Sequence, residues 1–134
     1  MHLLVMIVDD DPIFSLIAGA LLKQLGIIYP THICANGEEA LQLLEKLISK
    51  EKIILIFLDI TMPVMDGWGL LNALKDFPYK ENIRVVMVTS SVNNADKEQA
   101  LTYEPVIDYL VKPMKREDLL KLMQSKPLAS FFMH

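Results

Sequence analysis

Leu3-Leu4-Val5-Met6-Ile7-Val8-Asp9-Asp10-Asp11-Pro12 is the stretch that decides the fold. Six apolar residues without polar alternation describe a strand covered on both faces, which is the signature of a central strand in a parallel sheet. The acids end that strand. Asp11 then offers an N-cap and Pro12 the first helical position, so a helix must follow at once. Its apolar residues Ile13, Leu16, Ile17, Ala20, Leu21 and Leu25 are expected to form one core-facing side before Gly26 ends it.

Working outward, the same alternation of short apolar runs and helical periods continues along the chain, as parallel sheets with crossover helices require. Strand two is expected at about Ile28 to Cys34. It contains Pro30, which cannot donate to a ladder and so belongs on a sheet edge. Asn36 and Glu39 form a capping arrangement for helix two, whose stripe is Ala40, Leu41, Leu44, Leu47 and Ile48. Ile53 to Leu58 is a second wholly apolar strand. Asp66 caps helix three, with Trp68, Leu71 and Leu74 available to the core, and strand four follows at Val85 to Val88. Helix four is expected over Ala95 to Tyr103, strand five over Val106 to Val111, and helix five, carrying Leu119, Leu120 and Met123, over Glu117 to Gln124. The fold class is α/β.

Composition narrows the function. The chain has 134 residues, 52% hydrophobic and 22% charged, which suits one domain with a substantial core. The net charge is -4 with cations scattered among acids, so no basic stripe favours direct nucleic acid binding. No apolar run is long enough for membrane insertion, and no leader pattern opens the chain, so a cytoplasmic location is expected. Cys34 is the one cysteine, and its apolar setting predicts a buried, inert thiol. His2, His32 and His134 show no metal-ligand spacing. The eight methionines are expected mainly as core filling.

Ligands of open α/β sheets collect outside the carboxyl ends of the strands. Here strand one ends in Asp9-Asp10-Asp11, strand three in Asp59, strand four in Thr89-Ser90-Ser91 and strand five in Lys112-Pro113. Each has a plain explanation alone, as helix cap, solvated turn, strand stop or surface ammonium. Together they predict one crevice. Converging carboxylates repel unless a cation neutralises them, and magnesium, a hard ion that takes carboxylate and phosphate oxygens, suits the set. Asp10 and Asp59 are the expected direct ligands, Asp9 acts mainly through water, and the backbone carbonyl of Thr61 adds another. Asp59 is then the candidate nucleophile for an aspartyl phosphate, with the Lys112 ammonium as a point charge and the Thr89 hydroxyl as a donor to a phosphoryl oxygen.

Ile7-Val8-Asp9-Asp10-Asp11-Pro12, Phe57-Leu58-Asp59-Ile60-Thr61-Met62-Pro63-Val64-Met65-Asp66-Gly67, Val88-Thr89-Ser90 and Tyr109-Leu110-Val111-Lys112-Pro113 stand in the order and spacing of response regulator receiver motifs. The chain resembles a stand-alone receiver over roughly Leu3 to Met123. The resemblance implies a flavodoxin-like (βα)5 fold with a five-stranded parallel sheet of order 2-1-3-4-5, an order for which a member of this family is a known example. It implies a receiver domain over residues 1–125 with a short tail over 126–134. It also implies a phosphoryl donor, either a sensor histidine kinase or a histidine phosphotransfer protein, and an unidentified downstream protein. By the same analogy Thr89 moves toward the phosphoryl group while Tyr109 turns inward, changing the face of helix four, strand five and helix five. Glu104-Pro105 departs from the Gly-Ala common in this family before strand five.

No second substrate has a base prepared for it, so the expected chemistry is self-phosphorylation and its reversal, not metabolic catalysis. A haloacid-dehalogenase-type phosphatase is disfavoured, because it usually has a second aspartate where Thr61 stands. A flavodoxin is disfavoured because Asp9-Asp10-Asp11 would repel a flavin phosphate. The alternative kept open is a pseudo-receiver that works as an interaction module without phosphorylation. The apolar tail Phe131-Phe132-Met133 is expected to pack on the domain or to self-associate rather than stay in water.

Overall fold

Continuous apolar strands have to be covered from both sides, and the computed structural model, which describes residues 2–27 and 29–132, shows how this chain does it. Five parallel strands, β1 His2–Val8, β2 Thr31–Cys34, β3 Lys52–Leu58, β4 Ile83–Thr89 and β5 Val106–Val111, lie in the order β2-β1-β3-β4-β5. This is the flavodoxin-like order expected from the motifs. Successive side chains leave a strand on opposite faces, so each buried strand feeds two cores. Met6, Val8, Ile54, Ile56, Leu58, Val85 and Met87 pack against α2 Gly37–Leu47, α3 Gly67–Leu74 and α4 Asn94–Leu101. Leu3, Val5, Ile7, Leu55, Phe57, Val86 and Val88 pack against α1 Pro12–Gln24 and α5 Arg116–Gln124.

Local signals set the helix ends. Asp11 accepts the Ile13 N–H, Asn36 the Glu39 N–H and Asp66 the Gly69 N–H, so all three predicted caps form. Pro30 lies just before the edge strand, and its carbonyl accepts the Val5 N–H at 3.0 Å. Strand two is therefore shorter than expected, and Ile28 lies outside the described residues. Helix four is displaced by one residue at its start and ends at Leu101, two short of Tyr103. Met6, Met62, Met87 and Met114 are buried, in keeping with core filling.

One expectation fails in an informative way. The large aliphatic residues of α1 do not form its core face: Ile13, Leu16 and Ile17 are 68%, 73% and 58% exposed, and Ala20 is exposed as well. The sheet instead receives Ser15, Ala18 and Leu22, flanked by partly buried Phe14, Leu21 and Leu25. Small residues let the helix axis approach the sheet closely, and the large ones are left outside. In α5, Leu122 is buried and Leu120 is exposed. After α5, Leu128 is fully buried, and the short α6 Ala129–Phe132 lies against the same core through Phe131. The Tyr29 hydroxyl donates to the Phe131 carbonyl at 3.0 Å. Met133 and His134 lie outside the described residues. Among the described residues no helix is long and apolar enough to cross a membrane.

The inversion of α1 is checked by urea unfolding. Leu22→Ala is expected to lose about 2–5 kcal/mol, whereas Leu16→Ala should stay within about 0.5 kcal/mol of the parent. Equal losses would contradict the observed helix orientation.

Candidate functional site

Parallel register brings the strand ends level. Val8 pairs with Leu58, and the Asp59 N–H donates to the Val8 carbonyl at 3.0 Å, so Asp9 and Asp59 leave adjacent strands side by side. Thr89 pairs with Val111, and the Lys112 N–H donates to the Thr89 carbonyl at 2.9 Å. Four predicted residues thus reach one edge by backbone pairing alone. The peptide bond between Lys112 and Pro113 is cis.

The side chains then meet. Carboxylate oxygens of Asp9, Asp10 and Asp59 lie within 4.8 Å of one another, with Asp9 and Asp59 buried and Asp10 exposed. Lys112 Nζ sits 2.8 Å from Asp9 Oδ2 and 3.2 Å from Asp59 Oδ2. Its ammonium also lies 4.5 Å from the Phe14 ring centroid, which holds it over an aromatic face. The other oxygen of each buried acid takes a backbone donor, Asp11 N–H on Asp9 at 2.8 Å and Ile60 N–H on Asp59 at 2.7 Å. Both buried carboxylates are thereby oriented.

Burial raises the Asp9 carboxyl above the usual carboxylate range; hydrogen bonds from Lys112 and the Asp11 N–H oppose this, and the charge of Asp59 adds to it. Burial pulls the Lys112 ammonium down, yet the hydrogen bond from Lys112 to Asp9 and the charges of Asp59 and Asp9 outweigh it and hold its pKa above the ordinary value. Lys112 stays a cation. The cluster offers carboxylate oxygens and neither imidazole nor thiolate, which is the donor set of a hard divalent cation such as magnesium, not of zinc. Cys34 is buried nearby at the end of β2, and burial, aided by the charge of Glu39, pushes its thiol up to about 11. The buried thiol expected from its setting is what the structure contains.

Thr61 is exposed in the loop after Asp59, and Thr89 is buried at the end of β4. Tyr109 is buried on β5, with its hydroxyl donating to the Ser91 carbonyl at 3.1 Å. Gly67 closes the loop after β3. Its N–H donates to the Ile60 carbonyl at 2.8 Å, and a Cβ there would run into the Asp59 carbonyl and lie 3.0 Å from Ile60 Cα. The backbone carrying Asp59 therefore needs a glycine beside it. Two contributors escaped the sequence reading: Phe14 under Lys112, and the hydrogen bond from Ser91 to Asp96. Phe14 and Lys112 are far apart in the chain, and the spacing of Ser91 and Asp96 matches no capping box.

A family model for the response regulator receiver domain matches residues 5–124. The chain belongs to that family. A relative from Leptolyngbya boryana, named as an uncharacterized 14.6 kDa protein in the sodA1 3' region, is 32% identical over 125 residues, covering 93% of this chain and 90% of the relative. The signal transduction histidine-protein kinase BarA of Escherichia coli K12 is 31% identical over 119 residues, which are 89% of this receiver but 12% of that kinase. Among solved structures, the receiver domain of sensor histidine kinase PA1611 from Pseudomonas aeruginosa PAO1 has a magnesium ion coordinated in its active site cleft. It aligns with a TM-score of 0.73 at 26% identity, covering 92% of this chain and 96% of that one. The receiver domain of the Saccharomyces cerevisiae response regulator Ssk1, solved with the histidine phosphotransfer protein Ypd1, aligns with a TM-score of 0.75 at 26% identity, covering 92% and 87%. The receivers akin to this one thus serve kinases and response regulators alike, and the chain is a receiver of phosphorelay signal transduction.

The tight approach at Gly67 yields a direct test. Gly67→Ala pits a methyl against backbone on both contacts, so it should cost about 1–3 kcal/mol and move the Ile60 amide resonance that reports the hydrogen bond to Asp59. Parent stability with an unmoved Ile60 amide would refute this account of the loop.

Proposed function

We propose that Asp59 is the phosphoacceptor of this receiver, and the observation that carries the proposal is the Lys112 ammonium set 2.8 Å from Asp9 and 3.2 Å from Asp59 within a three-carboxylate cluster. A carboxylate oxygen of Asp59 attacks the phosphorus of the donor. The new P–O bond forms as the donor's P–N bond breaks, and the electron pair leaves on the imidazole nitrogen, which takes up a proton. Lys112 offsets the charge gathering on the phosphoryl oxygens, and the Thr89 hydroxyl donates to one of them. Water later cleaves the acyl phosphate and releases inorganic phosphate. We assign no other covalent chemistry to the chain.

Asp10 and Asp59 would hold magnesium directly, Asp9 through water, and Thr61 through its backbone carbonyl. When bound, the ion supplies neutralisation of the carboxylate and phosphoryl charge. Phosphorylation adds charge and acceptor oxygens, which favour one of two packings of the face built from Thr89, Tyr109, α4 and α5. A downstream protein reads that face, and the cytoplasm is the compartment this reading implies. The phosphoryl donor is a phosphohistidine on a sensor kinase or phosphotransfer protein. The exposed aliphatic row Ile13, Leu16 and Ile17 supports such a partner, because it starts two residues beyond Asp11 at the rim of the acidic cluster and is unfavourable to leave in water.

Intact mass after incubation with acetyl phosphate tests the acceptor. The parent should gain a magnesium-dependent, hydroxylamine-labile phosphoryl group, and folded Asp59→Asn should gain none; equal labelling of the two would reject Asp59. The donor surface is tested separately. Leu16→Asp should slow phosphoryl transfer from a histidine phosphotransfer protein at least about tenfold, the scale of one interface anchor, while its uptake from acetyl phosphate stays at the parent rate. Equal rates from the protein donor would remove α1 from the docking surface.

A further inference from the structure

Ser91 joins three separate elements at one point. Its carbonyl accepts the Tyr109 hydroxyl of β5 at 3.1 Å, and its N–H donates to Thr89 Oγ1 at the end of β4 at 3.4 Å. Its own hydroxyl donates to Asp96 Oδ2 in the first turn of α4 at 2.6 Å and accepts the Asn93 N–H at 3.3 Å. The bond to Asp96 is short, charge-assisted and half-buried, which makes it the strongest of the four.

The helix it anchors has little else to hold it. Of the eight residues of α4 only Ala100 is buried, whereas α1, α2, α3 and α5 each bring at least two buried side chains to the sheet. Helices seated by apolar area resist displacement; one seated by polar ties at its first turn moves when a tie breaks. The placement of the Ser91 carbonyl, and hence the acceptor for Tyr109, depends on where the first turn of α4 stands.

We propose that the Ser91–Asp96 hydrogen bond is a latch that positions the loop between β4 and α4 and keeps Tyr109 turned inward, making Asp96 and Ser91 positioning residues of the switch. This deepens the proposed function and rests on its assignment of Thr89 and Tyr109 as the switch. With the latch closed, Tyr109 is already buried before any phosphoryl group arrives. Opening it restores the outward state, so these two residues set how far phosphorylation has to shift the population. A residue that only caps α4 would affect helix stability and leave the Tyr109 ring where it is.

Ring signals of ¹³C-labelled tyrosine in the full, unphosphorylated chain decide the matter, with Tyr109→Phe assigning the resonance. In folded Ser91→Ala and Asp96→Ala the ratio of inward to outward Tyr109 is expected to fall about tenfold, the scale of a hydrogen bond to a charged group. The double variant should fall no further, because both changes break one bond. Asp96→Asn keeps an acceptor and should retain the inward ring. Parent-like ring signals in both alanine variants, or additive losses in the double variant, would overturn the latch. Ser91→Ala removes the bond from the side of the loop, so the comparison stands even where a change in α4 costs helix content by circular dichroism. The measurement uses neither phosphodonor nor magnesium. Failure of Asp59 to take up a phosphoryl group would thus count against the proposed function alone.

Discussion

Convergence of like charge at the carboxyl edge of the sheet is the constraint to which the rest of the molecule answers. Backbone pairing forces Asp9 and Asp59 together, and Asp10 joins them within 4.8 Å. At an effective dielectric of about 20, two carboxylates at that separation repel by about 3 kcal/mol, less for exposed Asp10, which water screens. Lys112 is the cation set against them, and among the described residues both of its ion pairs are made here. One ammonium cannot neutralise three carboxylates. The residual negative charge suits the edge to a divalent cation, and in the proposed function a phosphoryl group would approach Asp59 only where that charge has been offset.

Such an arrangement persists only if the scaffold is stiff enough to resist the repulsion. Apart from its two edges, the sheet is apolar on both faces, with β1, β3 and β4 buried almost throughout, so a register slip by one residue would exchange the two cores wholesale. Register is therefore fixed far more strongly than the charges can disturb it. Gly67 adds a local clamp by bringing the start of α3 against the Asp59 backbone. The cost of like-charge convergence is carried by the strands, not by the loops that bear the charges.

Strands and site were legible in the sequence for the same reason. Uninterrupted apolar runs such as Ile53 to Leu58 have few alternatives, and the acids that stop them mark the edge where they must gather. Caps at Asp11, Asn36 and Asp66 were equally plain, since a short polar side chain before a helical period has a specific backbone donor to satisfy. The orientation of α1 was not legible. Ile13-Phe14-Ser15-Leu16-Ile17-Ala18 is apolar around nearly the whole helix, so periodicity cannot choose a side, and ranking by size chooses the wrong one. Close approach to the sheet selects Ser15 and Ala18, even though the buried Ser15 hydroxyl finds no hydrogen-bond partner among the described residues. Val64 was equally hidden, a β-branched residue at φ 69° where local rules ask for glycine or asparagine.

The same uneven burial divides the molecule into parts that hold still and parts that can respond. Asp9 and Asp59 project from strands that cannot move without unpacking two cores, which suits groups whose separation fixes the chemistry. Tyr109 and α4 lie at the other extreme, on an edge strand and under a helix with one buried residue. In the proposed switch a few polar contacts would set the free-energy difference between two packings, and phosphorylation of Asp59 would shift it only as far as its contacts differ between them. Had α4 been seated as deeply as α3, with Leu70, Leu71 and Leu74 in the core, the same phosphoryl group would meet a surface too stable to change. In the proposed function, weak seating beside a rigid acceptor would let one charged group be read at a distance.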